Sequence, residues 1–255
     1  MKCINYEYKV IMKKYIIYVI SLFAFVLSGC KEDVKTNVLT FATTADYPPF
    51  EYYKDGKITG FDIELAELIA KELGKEASFE NMQFSGILPA LTEGQVDAAI
   101  STISITYERK KNFDFSTAYY VEAMAAVFKD AYPVTDQAEL AGKKIACQLG
   151  STMEIWLKKH VPSAELVAID NNNQSIEALK AGHVDVALMD GVQGVIFSKK
   201  NPGLNYAIIA KSDNGYGVAF KKGSSLKDEV NQAIKSLKSK GEISKLEKKW
   251  IEGAK

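Results

Sequence analysis

The sequence predicts an α/β chain folded into two similar lobes, each built on a mostly parallel sheet with helices on both faces, with a ligand cleft between the lobes. The leading observation is an internal echo. Ala90-Leu91-Thr92-Glu93-Gly94-Gln95-Val96-Asp97-Ala98-Ala99-Ile100 and Ala178-Leu179-Lys180-Ala181-Gly182-His183-Val184-Asp185-Val186-Ala187-Leu188 share the pattern Ala-Leu-x-x-Gly-x-Val-Asp-x-Ala-aliphatic. Each copy reads as a helix end, a glycine cap and a buried strand. Each lies behind a short apolar strand, Val38 to Thr43 in the first case and Lys144 to Leu149 in the second. The separation is too long for a solenoid, whose period is about 20 to 50 residues, so it argues for duplicated lobes. The second observation is the alternation of strands with amphipathic helices, which implies parallel sheets whose ligands sit beyond the carboxyl ends of the strands. Ser101 and Thr102 follow the first matched strand, and Met189 and Asp190 the second. Facing lobes would bring these four to one cleft, where small ligands bind.

Taken from the N-terminus, the first segment is unlike the rest. Met12-Lys13-Lys14 is a positive start, Tyr15 to Leu27 is an almost uncharged apolar run, and Leu27-Ser28-Gly29-Cys30 ends it with small residues. That is the pattern of a secretory signal over residues 1–29, with Met12 as a better start than Met1. The run is shorter than the roughly 20 residues a membrane-spanning helix needs. Leu27-Ser28-Gly29-Cys30 resembles the bacterial lipobox, which implies lipidation of Cys30 and a membrane held through that anchor. Polar residues 30–37 then read as a tether. Loss of residues 1–29 removes four lysines and one glutamate from a chain of formal net charge zero, leaving −3. With Cys3 removed and Cys30 lipidated, Cys147 has no partner for a disulfide or a zinc site.

Beyond the tether, Asp62 to Leu73 places Ile63, Ala66, Ile69, Ala70 and Leu73 on one face, with acids at its start and Gly74 after its end. It predicts a surface helix lying on a sheet. Met153 to His160 opens another helix after Gly150-Ser151-Thr152, and Leu226 to Lys238 and Glu242 to Ile251 are two more, separated by Gly241. With 255 residues, 47% of them hydrophobic, the chain has material for two modest cores. Its scattered, balanced charge excludes the basic footprint of a nucleic-acid binder. No metal cluster, phosphate loop or Ser-His-Asp order stands out, so no metal or cofactor is expected.

Four ordered motifs identify the family. Tyr47-Pro48-Pro49-Phe50-Glu51-Tyr52, Gly60-Phe61-Asp62-Ile63, Phe84-Ser85-Gly86-Ile87-Leu88-Pro89-Ala90-Leu91 and Ile105-Thr106-Tyr107-Glu108-Arg109 resemble the polar amino-acid-binding proteins of bacterial ABC importers, solute-binding family 3. The resemblance runs from about Leu39 to Trp250 and implies a periplasmic-binding-protein-like fold. It further implies two crossings between lobes, near Ala118 to Met124 and Ser212 to Gly217, so that residues 38–120 and 217–255 form lobe 1 and residues 121–216 lobe 2. The implied function is capture of a free amino acid by hinge closure and its delivery, by a monomer, to a permease in the periplasm or at the outer face of the cytoplasmic membrane.

Physical chemistry gives each residue a task. A zwitterion needs a cation for its carboxylate, an anion for its ammonium and cover from water. Arg109 offers a planar fork that holds a carboxylate by two parallel bonds, and the resemblance assigns it that role; from spacing alone a surface ion pair with Glu108 or Asp114 is the simpler reading. Asp190 ends a buried strand, where an unpaired carboxylate is costly; the resemblance gives it the ligand ammonium, while a cap for the following helix is the alternative. Tyr47 and Phe84 resemble the aromatics that sandwich the ligand side chain. Ser101, Thr102 and Ser104 would supply polar partners from the first lobe. In the second, Gln148, Ser151 and Thr152 adjoin a helix start whose free N–H groups suit the same carboxylate. Thr44, Gln148 and Met189 stand where some relatives carry an acid, a lysine and a histidine, so no one relative's side-chain pocket transfers. Asp46, Gln148 and Asp190 together favour arginine, lysine or glutamine. The alternative is an enzyme on the same fold, resembling a prephenate, cyclohexadienyl or arogenate dehydratase, which would need a general acid in the cleft. Neither His160 nor His183 adjoins Arg109 by motif.

Overall fold

The computed structural model describes residues 37–211 and 215–254. The expected signal, the lipidated Cys30 and nearly all of the tether lie outside those residues, as does part of the second expected crossing. In chain order, β1 (Val38–Thr43) leads to a small antiparallel sheet of β2 (Asp46–Tyr47), β3 (Glu51–Lys54) and β4 (Lys57–Thr59), then α1 (Phe61–Glu72), β5 (Glu76–Asn81), α2 (Phe84–Glu93), β6 (Ala98–Ala99), α3 (Tyr107–Asn112) and β7 (Phe113–Phe115). The second lobe follows with β8 (Ala123–Lys129), β9 (Lys144–Gln148), α4 (Thr152–His160), β10 (Glu165–Ile169), α5 (Asn172–Ala181), β11 (Val186–Asp190), α6 (Gly191–Lys200) and β12 (Leu204–Lys211). The chain then returns to the first sheet as β13 (Ala219–Lys221) and ends in α7 (Leu226–Ser239) and α8 (Glu242–Leu246). The last expected helix, Glu242 to Ile251, changes to a wider turn over Glu247–Ile251.

The two sheets have the orders β5-β1-β6-β13-β7 and β10-β9-β11-β8-β12. β13 runs antiparallel to both β6 and β7, and β8 antiparallel to both β11 and β12, while the remaining pairings are parallel. Each sheet is therefore mostly parallel with one strand reversed. Period-two alternation sorts the core onto two faces. Leu39 and Phe41 of β1 join a cluster with Phe61, Leu65 and Ile69 of α1, whereas Ala42 joins Ile87 and Leu91 of α2 on the other side. In the second lobe Ile145 and Cys147 meet Leu157 of α4, and Ala146 meets Ile176 and Leu179 of α5.

The sequence echo is a structural one, bond for bond. Gly94 and Gly182 both take the left-handed conformation, with φ of 74° and 78°. Gln95 N–H returns to Ala90 O at 3.0 Å and His183 N–H to Ala178 O at 2.9 Å. Asp97 and Asp185 then each exchange two bonds with the neighbouring strand. The Thr40 and Lys144 amides donate to the two carboxylates, both at 2.8 Å, and the aspartate amides donate back to Thr40 O and Lys144 O. Two glycines elsewhere are required by space. A Cβ at Gly60 would stand 2.1 Å from Phe50 O, and one at Gly215 would stand 2.4 Å from Tyr120 O.

Gly215 lies where the chain crosses between the sheets. Tyr216 forms isolated antiparallel bridges to both Ser104 and Tyr120, so the outgoing and returning strands run side by side. Its ring packs with Phe50, Tyr119 and Tyr120 in a core cluster that also takes in Val192 and Ile196 of α6.

Candidate ligand-binding site

Both sheets aim the ends of their central strands at one cleft. Tyr47 from β2, Phe84 at the start of α2, Thr102 and Ser104 beyond β6, and Arg109 on α3 form one wall. Gln148 at the end of β9, Ser151, Thr152 and Met153 at the start of α4, and Asp190 at the end of β11 form the other. The space they enclose is about 20 Å³, enough for roughly one water molecule. A wider cavity of about 180 Å³ shares Ser104, Thr152, Met153 and Asp190 and extends to Trp156 and Tyr216.

Arg109 is held at the centre. Thr106 caps its short helix, its hydroxyl accepting from the Arg109 amide at 3.1 Å. The guanidinium donates to Ser104 O at 3.0 Å and, across the cleft, to Gly150 O at 3.1 Å, and it lies 5.7 Å from the centre of the Phe84 ring. It is only 8% exposed, and among the described residues no carboxylate makes an ion pair with it. The surface pairing with Glu108 or Asp114 does not form: Glu108 pairs with Lys111 and Asp114 with Lys222. Burial lowers the Arg109 pKa to about 10, which leaves it cationic at neutral pH. A buried cation with carbonyl and ring contacts alone favours an anionic ligand.

The opposite wall supplies the complement. Ser151 is the N-cap of α4, its hydroxyl accepting from the Glu154 amide at 3.3 Å, while Glu154 accepts from the Gly150 amide at 2.7 Å. This variant of a capping box fixes the helix start, whose first N–H groups have no partner inside the helix. Ser104 and Thr152 hydroxyls stand 3.4 Å apart across the cleft. Asp190 occupies the N-cap position of α6 but makes no side-chain cap bond; instead it accepts from the Tyr47 hydroxyl at 2.5 Å. Burial raises its pKa to about 7, against the lowering effect of the Tyr47 and Tyr216 hydroxyls. A cation placed beside it would restore the full negative charge.

Ser101 departs from its expected place. Its hydroxyl donates to Glu51 at 2.8 Å and accepts from the Thr44 amide at 3.2 Å, so it braces the floor of the first lobe and does not line the cleft. The strand ends two residues before it, at Ala99, and alternation turns its side chain inward while Thr102 reaches the cleft. Thr102 gets there through strain: its φ of 45° is rare for a β-branched residue and costs of order 1–3 kcal/mol. The Asp62 carboxylate, accepting from its amide at 2.8 Å, holds it there. Gln148 donates to Asp170 O at 3.2 Å. Thr44, Asp46 and Met189 are not among the residues lining either space, and Met189 is buried in the second-lobe core. Burial raises the Asp46 pKa to about 6. Met153, Trp156 and Tyr216 were missed by sequence reasoning. Trp156 could have been found, because it sits four residues after Thr152 and so on the same face of α4.

Two sheets of this order, joined by paired crossings and closed over a buried arginine and aspartate, define a two-lobed binding protein of the periplasmic type. Residues 39–253 match the profile of the bacterial extracellular solute-binding proteins, family 3, and the chain belongs to that family. It is 34% identical to the arginine-binding extracellular protein ArtP of Bacillus subtilis (strain 168), over 96% of this chain and 100% of the relative. It is 35% identical to the L-cystine-binding protein TcyJ of Escherichia coli (strain K12), over 80% of this chain and 79% of that one. Among solved structures, the amino acid ABC transporter substrate-binding protein AbpA from Streptococcus pneumoniae, bound to L-arginine, superimposes with a TM-score of 0.79 at 38% identity, covering 86% of this chain and 95% of that one.

Proposed function

We propose that the chain captures a free polar or basic amino acid and delivers it to the permease of an ABC importer, acting as a monomer held outside the cytoplasm by lipid on Cys30. The observation that carries this reading is the pairing of Arg109, buried without an anion, with Asp190, whose carboxyl is buried on the facing lobe. The ligand carboxylate would take the fork of Arg109 and the N-terminus of α4, its ammonium would take Asp190, and its side chain would lie between Tyr47 and Phe84. Closure about the two crossings would then bury the ligand, which must favour the closed arrangement for delivery to depend on loading. Arginine, lysine and glutamine remain the favoured ligands, and the relatives named for arginine and L-cystine keep the side-chain preference broad. The same relatives are named for binding, which favours the binding reading over the dehydratase alternative.

A thermal-shift screen of residues 31–255 against the twenty amino acids, L-cystine and small peptides tests the reading, because a ligand that binds the folded state raises its stability by mass action. A shift with at least one basic or amide amino acid is expected. Silence across the whole set would refute it. For the anchor, Cys30→Ser should move the protein from the membrane fraction to the soluble one.

A further inference from the structure

Under the cleft floor lies a pair of acids that no ligand contact explains. Glu51 on β3 and Asp62 on α1 are both fully buried. One oxygen of each is satisfied: Glu51 accepts from Ser101, and Asp62 accepts from the Thr102 amide and from the Tyr119 hydroxyl at 2.8 Å. The other oxygen of each, Glu51 Oε2 and Asp62 Oδ1, is buried without a donor. The groups facing the pair are Asp46 and Tyr47 from β2, Tyr119 from the first crossing, and Ser101 and Thr102 from the segment after β6. Among the described residues no lysine, arginine or histidine makes an ion pair with either acid.

We propose that Glu51 and Asp62 share one proton, the Glu51 carboxyl donating to Asp62, and that this proton positions Thr102 for ligand binding. Two ionised carboxylates here would repel one another in a low-dielectric site, with two acceptors unsatisfied. As an acid and a carboxylate they satisfy each other, and the single charge stays on Asp62, where the Thr102 amide needs it. Burial and mutual repulsion push the Glu51 carboxyl well above the usual carboxylate range, and burial raises Asp62 as well. The pair is a positioning device behind the clamp. Its coupling to affinity rests on the proposed function, whereas the shared proton does not.

The sign of the pH dependence follows. Above about pH 4 the unfolded chain releases both protons while the folded chain keeps one, so stability falls as pH rises, by up to tenfold in the unfolding equilibrium per pH unit, until the folded pair ionises. Glu51→Gln puts a permanent donor where the proton sits. Its melting temperature should fall less steeply than wild type between pH 6 and 9. Infrared spectra at pH 8.5, above the values of about 6 for Asp46 and about 7 for Asp190, should show a protonated carboxyl band in the wild type that is lost in the variant. L-Arginine affinity should agree within about threefold at pH 7; towards pH 9.5, where the ligand ammonium and Arg109 begin to lose protons in both proteins, it should fall further in the wild type than in the variant. If Glu51→Gln does not fold, Asp62→Asn offers the same amide donor from the other side. Parallel melting profiles, or no carboxyl band at pH 8.5, would overturn the pair and leave the clamp untouched. Failure of L-arginine to bind the wild type would strike the ligand assignment and leave the pair standing, and an equal alkaline loss of affinity in both proteins would overturn the positioning role.

Discussion

The two lobes share a corner, down to its hydrogen bonds, yet they meet the cleft in opposite ways. The first lobe brings buried charge carried on side chains: Arg109, which donates to the Ser104 carbonyl and lies beside Phe84, and the Asp62 carboxylate that holds a strained Thr102. The second brings backbone: the start of α4, fixed by Ser151 and Glu154, with Asp190 as its one buried acid at the cleft. Side-chain charge is strong but costly to bury, whereas a helix start is weaker and already organised. The duplicated scaffold therefore sets where a site can form, and unlike residues at the strand ends decide what each half contributes.

The comparison predicts unequal losses. Arg109→Ala should do the most damage, weakening binding of the cognate amino acid by at least about 100-fold in calorimetry, since breaking a buried charged contact costs about 3–5 kcal/mol. Arg109→Lys should rescue little, because an ammonium lacks the planar fork. Asp190→Asn comes next, at about 10- to 100-fold, and it carries a pH signature. In the folded chain Asp190 holds its proton up to about pH 7, while in the unfolded chain it loses it near pH 4. Its contribution to stability thus falls as pH rises from about 4 to 7 and is flat above, and Asp190→Asn should remove that slope in melting curves. Binding of an ammonium must expel the same proton, so wild-type affinity should drop as pH falls below about 7. Ser151→Ala should cost about 1 kcal/mol of stability through the lost cap and a few-fold in affinity. Ser101→Ala should lower stability by about 1–2 kcal/mol by leaving Glu51 and the Thr44 amide short of a partner, with the smallest change in affinity. A larger affinity loss at Ser101 than at Ser151 would reverse the ranking.

Much of this architecture was legible in residue order. The Ala-Leu-x-x-Gly-x-Val-Asp repeat announced both lobes because a left-handed cap tolerates few residues besides glycine and because each aspartate closes a local bond with the next strand. The reversed strands were harder to see: β13 is three residues long and β8 is covered on both faces, so neither shows an alternating pattern. At the cleft, nine of the ten expected ligand-binding residues line one space, because motif positions fix local geometry. Ser101 went astray because β6 ends at Ala99, and a single residue decides which way a side chain faces. The Glu51–Asp62 contact was invisible, since eleven positions and a helix start separate two acids that only tertiary packing brings together.

The side-by-side strands at Tyr120 and Tyr216 have a consequence for timing. Gly215 leaves no room for a side chain against Tyr120 O, so a methyl group there would act as a wedge between the two crossing strands, one residue from Tyr216 in the wall of the wider cavity. Gly215→Ala should therefore disturb closure of the cleft, read as faster release of bound solute in stopped-flow kinetics. The time for which cargo is held would then depend on the crossing strands as well as on the strand ends that face it.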